Sequence, residues 1–269
     1  MGLEPHDFSY HCEETSLELS HQMTKYFEFR SVSKSFDDNA VLHEVSFFVE
    51  QGETAVIMGR SGVGKSVSLK LLLGFLQPDD GRIIVAGEDV TDWTEAQFAK
   101  IRRRATMVFQ SGALFDSLTV AENVAFPLAG REDYKDEEKI DRRVTELLEM
   151  LEVAQFADRL PSDLSTGTKR AVAIARALAE DPEAILYDEP TTMVDPIMSG
   201  HVGDLMLRLK RQLHLTSIVV THDLDLMYKV ADRVVLLHDC AVIYEGPVSE
   251  LSKADNPHIH EFLEMDRVA

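Results

Sequence analysis

The chain has 269 residues, a formal net charge of −20 and 45% hydrophobic residues. This length favours one large α/β domain with a smaller inserted lobe, and the acidic charge argues against a nucleic-acid partner, because such proteins present basic surface to phosphates. Two cysteines, Cys12 and Cys240, are too few for a disulfide framework or a zinc set, which fits a reducing cytosol. The apolar runs are much shorter than the roughly 18 residues that a membrane-spanning helix needs.

Strands are predicted to dominate the first third of the chain. Residues 1–25 lack the basic start and apolar stretch of a signal peptide, and we interpret them as an N-terminal extension. Across residues 26–87, short apolar stretches separated by glycine-containing turns indicate a β-sheet lobe. Across residues 133–153, apolar residues recur at helical spacing among many charges, which indicates an amphipathic helix.

The second half of the chain alternates predicted helices and strands. A helix is predicted over residues 165–179, and strands are predicted over residues 184–187, 217–221 and 233–237. Strands separated by helices favour a mostly parallel, covered sheet. Residues 251–269 form a C-terminal tail to which the sequence assigns no role.

An octamer between a predicted strand and an apolar helix carries the strongest local signal. Residues 59–66, Gly-Arg-Ser-Gly-Val-Gly-Lys-Ser, match the phosphate-loop pattern G-x-x-x-x-G-K-[ST] in full. Backbone N–H groups of such a loop wrap phosphates, and its glycines permit the close approach. Lys65 is predicted to bind the β- and γ-phosphates of ATP, and Ser66 to offer its hydroxyl to Mg²⁺. The predicted ATP-binding residues of this loop are Gly59, Arg60, Ser61, Gly62, Val63, Gly64, Lys65 and Ser66.

Two adjacent carboxylates follow the predicted strand 184–187. Asp188 is predicted to hold Mg²⁺ through water and Glu189 to polarise the attacking water. Adjacent side chains on a strand point to opposite faces, so both serve one site only if the chain turns at once, and Pro190 supports that turn. By itself, such a sequence is more often a solvated turn; the phosphate loop upstream favours the catalytic interpretation.

Further motifs occur in an order that resembles the ABC ATPase family. Phe36 in KSF matches the aromatic residue that stacks on adenine, and Gln110 in MVFQ matches the Q-loop glutamine. LSTGTKR, residues 164–170, stands where the family signature LSGGQ belongs. Asp195 in MVDP resembles the D-loop aspartate, and His222 in VVTHD resembles the switch histidine.

The resemblance implies an α/β fold with a P-loop NTPase (RecA-like) core, an antiparallel β subdomain and an inserted α-helical subdomain. The ATPase domain is then expected over residues 26–250, with the helical subdomain at about 111–180. It also implies a head-to-tail dimer, in which each ATP lies between the phosphate loop of one copy and the signature of the other. The nucleotide contacts that the resemblance adds are Phe36, Ser165, Gly167 and Asp195, the catalytic residues are Glu189, His222 and Gln110, and the Mg²⁺ ligands are Ser66, Gln110 and Asp188.

The signature departs from the family pattern at two positions. Thr166 replaces the first glycine and Thr168 replaces the glutamine, while Ser165 and Gly167 are kept. In the family, the kept serine and glycine contact the γ-phosphate of ATP on the opposite copy. Either Thr166 points away from that interface, or the closed dimer is loosened; the sequence leaves both open.

The Q-loop region, residues 109–128, resembles that of ATPases serving Mce-type lipid transporters. This implies a membrane permease, an Mce-domain lipid-binding protein and a peripheral position at the cytoplasmic face of the inner membrane, with residues 113–115 as an apolar docking surface. Two alternatives stay open: Leu114 and Phe115 pack the inserted lobe, and the transporter imports amino acids, metals or another solute. ABC ATPases of DNA repair or translation usually carry two cassettes, and a simple P-loop kinase would lack LSTGT and His222, so both classes are disfavoured.

Overall fold

The structure, a computed structural model, describes residues 24–37, 39–129, 131, 134–194 and 196–265. Its strands are Lys25–Phe36 (β1), Asn39–Glu50 (β2), Thr54–Met58 (β3), Asp80–Val85 (β4), Glu88–Asp89 (β5), Ala105–Val108 (β6), Ala184–Asp188 (β7), Thr216–Val220 (β8), Arg233–His238 (β9) and Ala241–Pro247 (β10). Its α-helices are Lys65–Leu72 (α1), Glu95–Arg104 (α2), Val120–Ala125 (α3), Glu137–Met150 (α4), Thr166–Leu178 (α5), Pro196–Leu213 (α6), Leu224–Val230 (α7) and Pro257–Met265 (α8). Most of the predicted N-terminal extension, residues 1–23, lies outside the described residues.

Two sheets organise the chain. One is antiparallel, in the order β2-β1-β4-β5. The other has the order β10-β9-β3-β8-β7-β6, and its five neighbours from β9 to β6 run parallel while β10 is antiparallel at the edge. The predicted mostly parallel sheet, separate antiparallel lobe and inserted helices are confirmed.

The parallel sheet is buried on both faces, as its sequence pattern requires. Every residue of β3, β7 and β8 is buried, and successive side chains alternate between two cores. Val56 and Tyr187 face one core, which α6 and α7 share with the helices of the inserted lobe. Ile57 and Leu186 face the antiparallel sheet and α1. With both faces occupied, the carboxyl ends of the strands are left to carry polar residues, which is where parallel sheets place their sites.

Helices α3, α4 and α5 lie in the insertion between β6 and β7. Helix α4 begins later than predicted, because the Asp136 carboxylate accepts a hydrogen bond from the Glu138 N–H and caps it. Its buried residues, Val144, Leu147 and Leu148, recur at the predicted helical spacing.

The described part of the C-terminal tail, residues 251–265, ends in α8, which docks on its own chain. Ile259 of α8 is 1% exposed, and Glu261 forms an exposed ion pair with Arg60 of the phosphate loop at 2.7 Å. His258 stacks on His238 with ring centroids 4.3 Å apart. Within the described ranges, no helix combines the length and apolarity that crossing a bilayer requires.

Candidate active site

The phosphate loop connects the buried strand β3 to α1. A Cβ atom at Gly59 would lie 2.6 Å from the Leu237 carbonyl oxygen, and one at Gly64, where φ is 97°, would lie 2.8 Å from the Val41 carbonyl oxygen, so both positions require glycine. The Lys65 ammonium donates to the Gly59 carbonyl at 2.9 Å and to the Arg60 carbonyl at 3.1 Å. The lysine therefore folds back over the loop and holds its charge at the loop's centre.

Asp188 and Glu189 reach the same side of the sheet edge through a backbone turn. Asp188 ends β7 and accepts a 2.6 Å hydrogen bond from the Ser66 hydroxyl. Glu189 has φ of 48°, in the left-handed region, and its N–H donates to the Val220 carbonyl of β8. This turn brings its carboxylate 3.6 Å from the Lys65 ammonium and 2.9 Å from His222 Nδ1. The expected turn occurs, and it is made by Glu189 itself before Pro190.

The carboxyl group of Asp188 is held in a site that disfavours its own charge. Burial raises its pKa, the hydrogen bond from Ser66 opposes the rise, and the nearby Glu189 carboxylate adds to it. A bound cation would reverse this effect.

Magnesium fits these residues. Mg²⁺ keeps several waters and binds proteins through one or two carboxylates together with substrate phosphates. Asp188 offers a carboxylate oxygen with the Ser66 hydroxyl oxygen 2.6 Å from it, and Gln110 lines the neighbouring cleft. Among the described residues, no group of three or more His, Cys, Asp or Glu side chains is arranged to hold a metal alone; Mg²⁺ at Ser66 and Asp188 would need further ligands, such as the phosphates of a nucleotide.

A cleft of about 730 Å³ brings most of the predicted site residues together. Phe36, 41% exposed, lines the cleft together with the phosphate loop, and its exposed ring offers a face on which a flat base can stack. Asp195 lies outside the described residues. Ser165 and Gly167 do not line the cleft. The lining residues are Phe36, Val41, Arg60, Ser61, Gly62, Gly64, Lys65, Ser66, Val67, Gln110, Glu189, Thr192 and His222.

The signature segment forms the start of α5 at a separate surface. Ser165 caps the helix by accepting from the Thr168 N–H at 3.2 Å, and the two hydroxyl oxygens lie 2.8 Å apart. Thr168, which replaces the family glutamine, thus engages the signature serine. Thr166 is exposed, while Gly167 is buried, and a Cβ there would lie 2.1 Å from Met198 Cε.

A match to a protein-family model decides the class. The model described as ABC transporter matches residues 42–192, which run from β2 through the phosphate loop and the signature to both carboxylates. The chain belongs to the ABC transporter family. The resemblance inferred from the ordered motifs is confirmed.

Individual ABC transporter proteins extend the similarity beyond the matched segment. The chain is 37% identical over 237 residues to the intermembrane phospholipid transport system ATP-binding protein MlaF of Haemophilus influenzae, which covers 88% of this chain and 89% of that protein. It is also 37% identical over 244 residues to the methionine import ATP-binding protein MetN 2 of Pseudomonas entomophila, covering 89% of this chain and 72% of that protein. Both relatives are ATP-binding proteins, one of an intermembrane phospholipid transport system and the other of methionine import.

Solved ABC cassettes share the fold. The dimeric post-hydrolysis structure of the cassette MJ0796 bound to ADP and Pi has a TM-score of 0.76 and 31% identity, covering 82% of this chain and 98% of that one. CbiO1 from Clostridium perfringens, part of the ABC transporter complex cbiONQ, has a TM-score of 0.79 and 27% identity, covering 91% and 97%. The predicted P-loop fold is confirmed, and the chain is an ATP-hydrolysing subunit of an ABC transporter.

Several residues that support this ABC site were not predicted from the sequence. The Thr192 hydroxyl donates to Glu189 Oε2 at 3.1 Å, the same oxygen that lies 2.9 Å from His222 Nδ1. Asp223 accepts from the hydroxyls of Thr191 and Ser199, both at 3.0 Å, and so joins the segment after Glu189 to α6. Their only sequence signal was proximity to the recognised motifs, because each contact is made across the tertiary structure.

The predicted docking segment divides into a buried and an exposed part. Leu114 packs against the core of the inserted lobe, as the alternative interpretation expected. Phe115 is 41% exposed and packs against Phe126, 52% exposed, with ring centroids 4.4 Å apart. Arg176 of α5 donates to the carbonyls of Gly112 and Ala113 and lies over the Phe115 ring. The signature helix therefore supports an exposed aromatic pair, defined here as the Phe115–Phe126 pair.

Asn123→Ala is expected to lower the free energy of unfolding by about 3 kcal/mol, because each buried polar group left unpaired costs about 1–3 kcal/mol. The Asn123 side chain is fully buried; it accepts from the Phe115 N–H at 2.8 Å and donates to the carbonyls of Phe115, Leu118 and Thr119. Urea denaturation measures the change. Asn39→Ala, at an exposed position, is the control and should change the value by less than about 0.5 kcal/mol. Equal losses in both variants would contradict the assigned role.

Proposed function

We propose that this chain powers lipid or phospholipid transport at the bacterial cell envelope, from a peripheral position at the cytoplasmic face of the inner membrane. The observation that carries its ATPase role is the contact of Glu189 with both His222 and the ammonium of Lys65, a residue of the phosphate loop. The MlaF of Haemophilus influenzae, an intermembrane phospholipid transport protein, supports the choice of cargo because it matches nearly end to end. Solute import is the second candidate, supported by the equal identity to MetN 2.

In this proposal, one set of residues binds ATP and another catalyses its hydrolysis. Lys65 and the backbone of residues 59–64 bind the phosphates, and Phe36 stacks on the base. Glu189 orients and polarises the attacking water, held in position by Thr192 and His222. Ser66, Asp188 and Gln110 hold Mg²⁺, which when bound neutralises phosphate charge.

We further propose that the site is completed by a second copy. Ser165 and Gly167 do not line the cleft that holds the phosphate loop of their own chain. Ser165 is instead exposed at the N-terminus of α5, and the N-terminus of a helix favours anions such as phosphate. The MJ0796 cassette is dimeric, which supports a head-to-tail arrangement here. Each ATP is then shared by two chains. The ATPase domain is assigned to residues 26–250, with the helical subdomain at about 111–180.

The partners are a membrane permease and an Mce-domain protein. The Phe115–Phe126 pair suits the permease contact, because exposed aromatic side chains that pack in contact are typical of docking surfaces. CbiO1 is part of a multi-component transporter complex, which supports assembly with other subunits.

The Phe115→Ser/Phe126→Ser double variant is expected to lose the permease when the tagged chain is recovered from detergent-solubilised membranes. Buried aromatic anchors contribute about 2 kcal/mol each, so the affinity should fall at least about 30-fold. Phe75→Ser, at 47% exposure elsewhere on the chain, is the matched control and should retain the complex. Recovery of the wild-type chain with a polytopic permease and an Mce-domain protein supports lipid transport. Recovery with a permease and a solute-binding protein would overturn the lipid proposal but not the ATPase assignment.

A further inference from the structure

Arg170, the last residue of the signature segment LSTGTKR, lies in α5 and is 5% exposed. Its Nη1 donates to the Phe109 carbonyl at 3.0 Å, and its Nη2 donates to the Thr192 carbonyl at 3.3 Å. These carbonyls belong to separate segments, one after β6 and one after β7. The guanidinium therefore links three parts of the chain: the signature helix and two loops.

Both loops carry groups of the proposed active site. Phe109 directly precedes Gln110, which lines the cleft. The Thr192 N–H donates to the Glu189 carbonyl at 3.3 Å, and the Thr192 hydroxyl donates to Glu189 Oε2 at 3.1 Å. A displacement of either carbonyl would move Gln110 or Glu189 relative to the phosphate loop.

Stability alone does not account for a cation at this place. No carboxylate in the described part of the chain pairs with Arg170, and its Nε has no hydrogen-bond partner there. Burial lowers the pKa of its guanidinium, because the charged form loses contact with water. Its hydrogen bonds go to two backbone carbonyls, so no ion pair among the described residues offsets the cost of burying the charge. The free-energy cost of burying the Arg170 charge, at a residue that holds two loops of the proposed active site, indicates a role in the activity of that site.

We propose that Arg170 is a positioning residue for ATP hydrolysis, which fixes the loops of Gln110 and Glu189 against the signature helix. The planar guanidinium suits this task, because its donors have a fixed geometry and reach two carbonyls at once. The inference rests on the proposed function in one respect, which is the shared site of the dimer. In that dimer, the N-terminus of α5 contacts ATP bound to the second copy through Ser165 and Gly167. The same helix holds the loops of Gln110 and Glu189 in its own chain through Arg170. Occupancy of one site thereby bears on the geometry of the other.

Arg170→Met tests this proposal in the full chain. The expected kcat for ATP hydrolysis falls about 100-fold, since misplacing catalytic groups by about 1 Å has an effect of that size, while KM for ATP stays within about 3-fold because the phosphate loop is untouched. Arg170→Lys keeps the charge but offers one ammonium in place of the fork, and should retain more activity than the methionine variant.

Arg143→Met is the matched control. Arg143 is also mostly buried and donates to the Leu178 carbonyl at the other end of α5, but it does not line the cleft. Its variant should lose stability in thermal unfolding and keep kcat.

The outcomes separate the two proposals. Wild-type kcat in Arg170→Met, or an equal loss of kcat in Arg143→Met, would overturn the positioning role. If Arg170→Met does not fold, the lysine variant decides: a lowered kcat at unchanged KM supports the role, and a wild-type kcat overturns it. A wild-type chain without Mg²⁺-dependent ATP hydrolysis would instead overturn the proposed function.

Discussion

Glu189→Gln is expected to lower kcat for ATP hydrolysis by about 10³-fold, within the range for removal of a general base, while ATP still binds. The amide keeps the size of the side chain but cannot accept the proton of the attacking water. The Lys65 ammonium keeps its hydrogen bonds to the carbonyls of Gly59 and Arg60, so the phosphate loop stays formed. Phosphate release measures kcat, and equilibrium binding of ATP measures the retained affinity.

The same variant tests the dimer, because a site that binds ATP without hydrolysing it should hold two copies together. Size-exclusion chromatography with ATP and Mg²⁺ should show a dimer for Glu189→Gln and a monomer without nucleotide. Glu95→Gln is the control: Glu95 is exposed and pairs with Arg102 on α2. Hydrolysis at the wild-type rate by Glu189→Gln would show that another group activates the water.

The local parts of the site were predictable from the sequence, because contiguous residues build them. The octamer ending in Lys65-Ser66 needs only a buried strand before it and a helix after it, and both elements are present. The ordered motifs also placed Phe36, Gln110 and His222 around one cleft, where the structure has them.

The parts of the site that were not predicted from the sequence depend on tertiary contacts, which no local sequence pattern specifies. The left-handed backbone of Glu189 is a position that few non-glycine residues adopt, and its N–H is fixed by β8, about 30 residues away in the chain. Arg170 and Asn123 each satisfy carbonyls of loops whose paths are set by packing. Such residues read as ordinary polar positions until the fold brings their partners together.

The two signature replacements became interpretable for the same reason. Thr168 lies within hydrogen-bond distance of Ser165, so its hydroxyl helps to orient the serine that the family uses. Thr166 is exposed beside it. A substitution at Ser165 that keeps the helix cap therefore tests whether the signature of this chain contacts ATP on a second copy.

Ser165→Asp is expected to abolish ATP-driven dimerisation and lower hydrolysis at least about 100-fold, because like charges placed together across an interface cost several kcal/mol. Aspartate caps helices as well as serine does, so α5 should remain intact. The added carboxylate would face the γ-phosphate of the opposite copy. Binding of ATP to the isolated chain should not change. Thr94→Asp, which makes the same replacement at the cap of α2, is the control and should behave as the wild type.

Mixing two inactive variants makes the test of Ser165→Asp decisive. Lys65→Met removes the phosphate-binding ammonium but keeps the signature, whereas Ser165→Asp keeps the phosphate loop. In a head-to-tail dimer of one copy each, one site combines both intact parts, and the other combines both damaged parts. The damaged site holds no bound phosphate to repel the aspartate, so the mixed dimer can close. The mixture should therefore hydrolyse ATP well above the sum of its separate components, whereas activity equal to that sum would show that each chain builds its site alone.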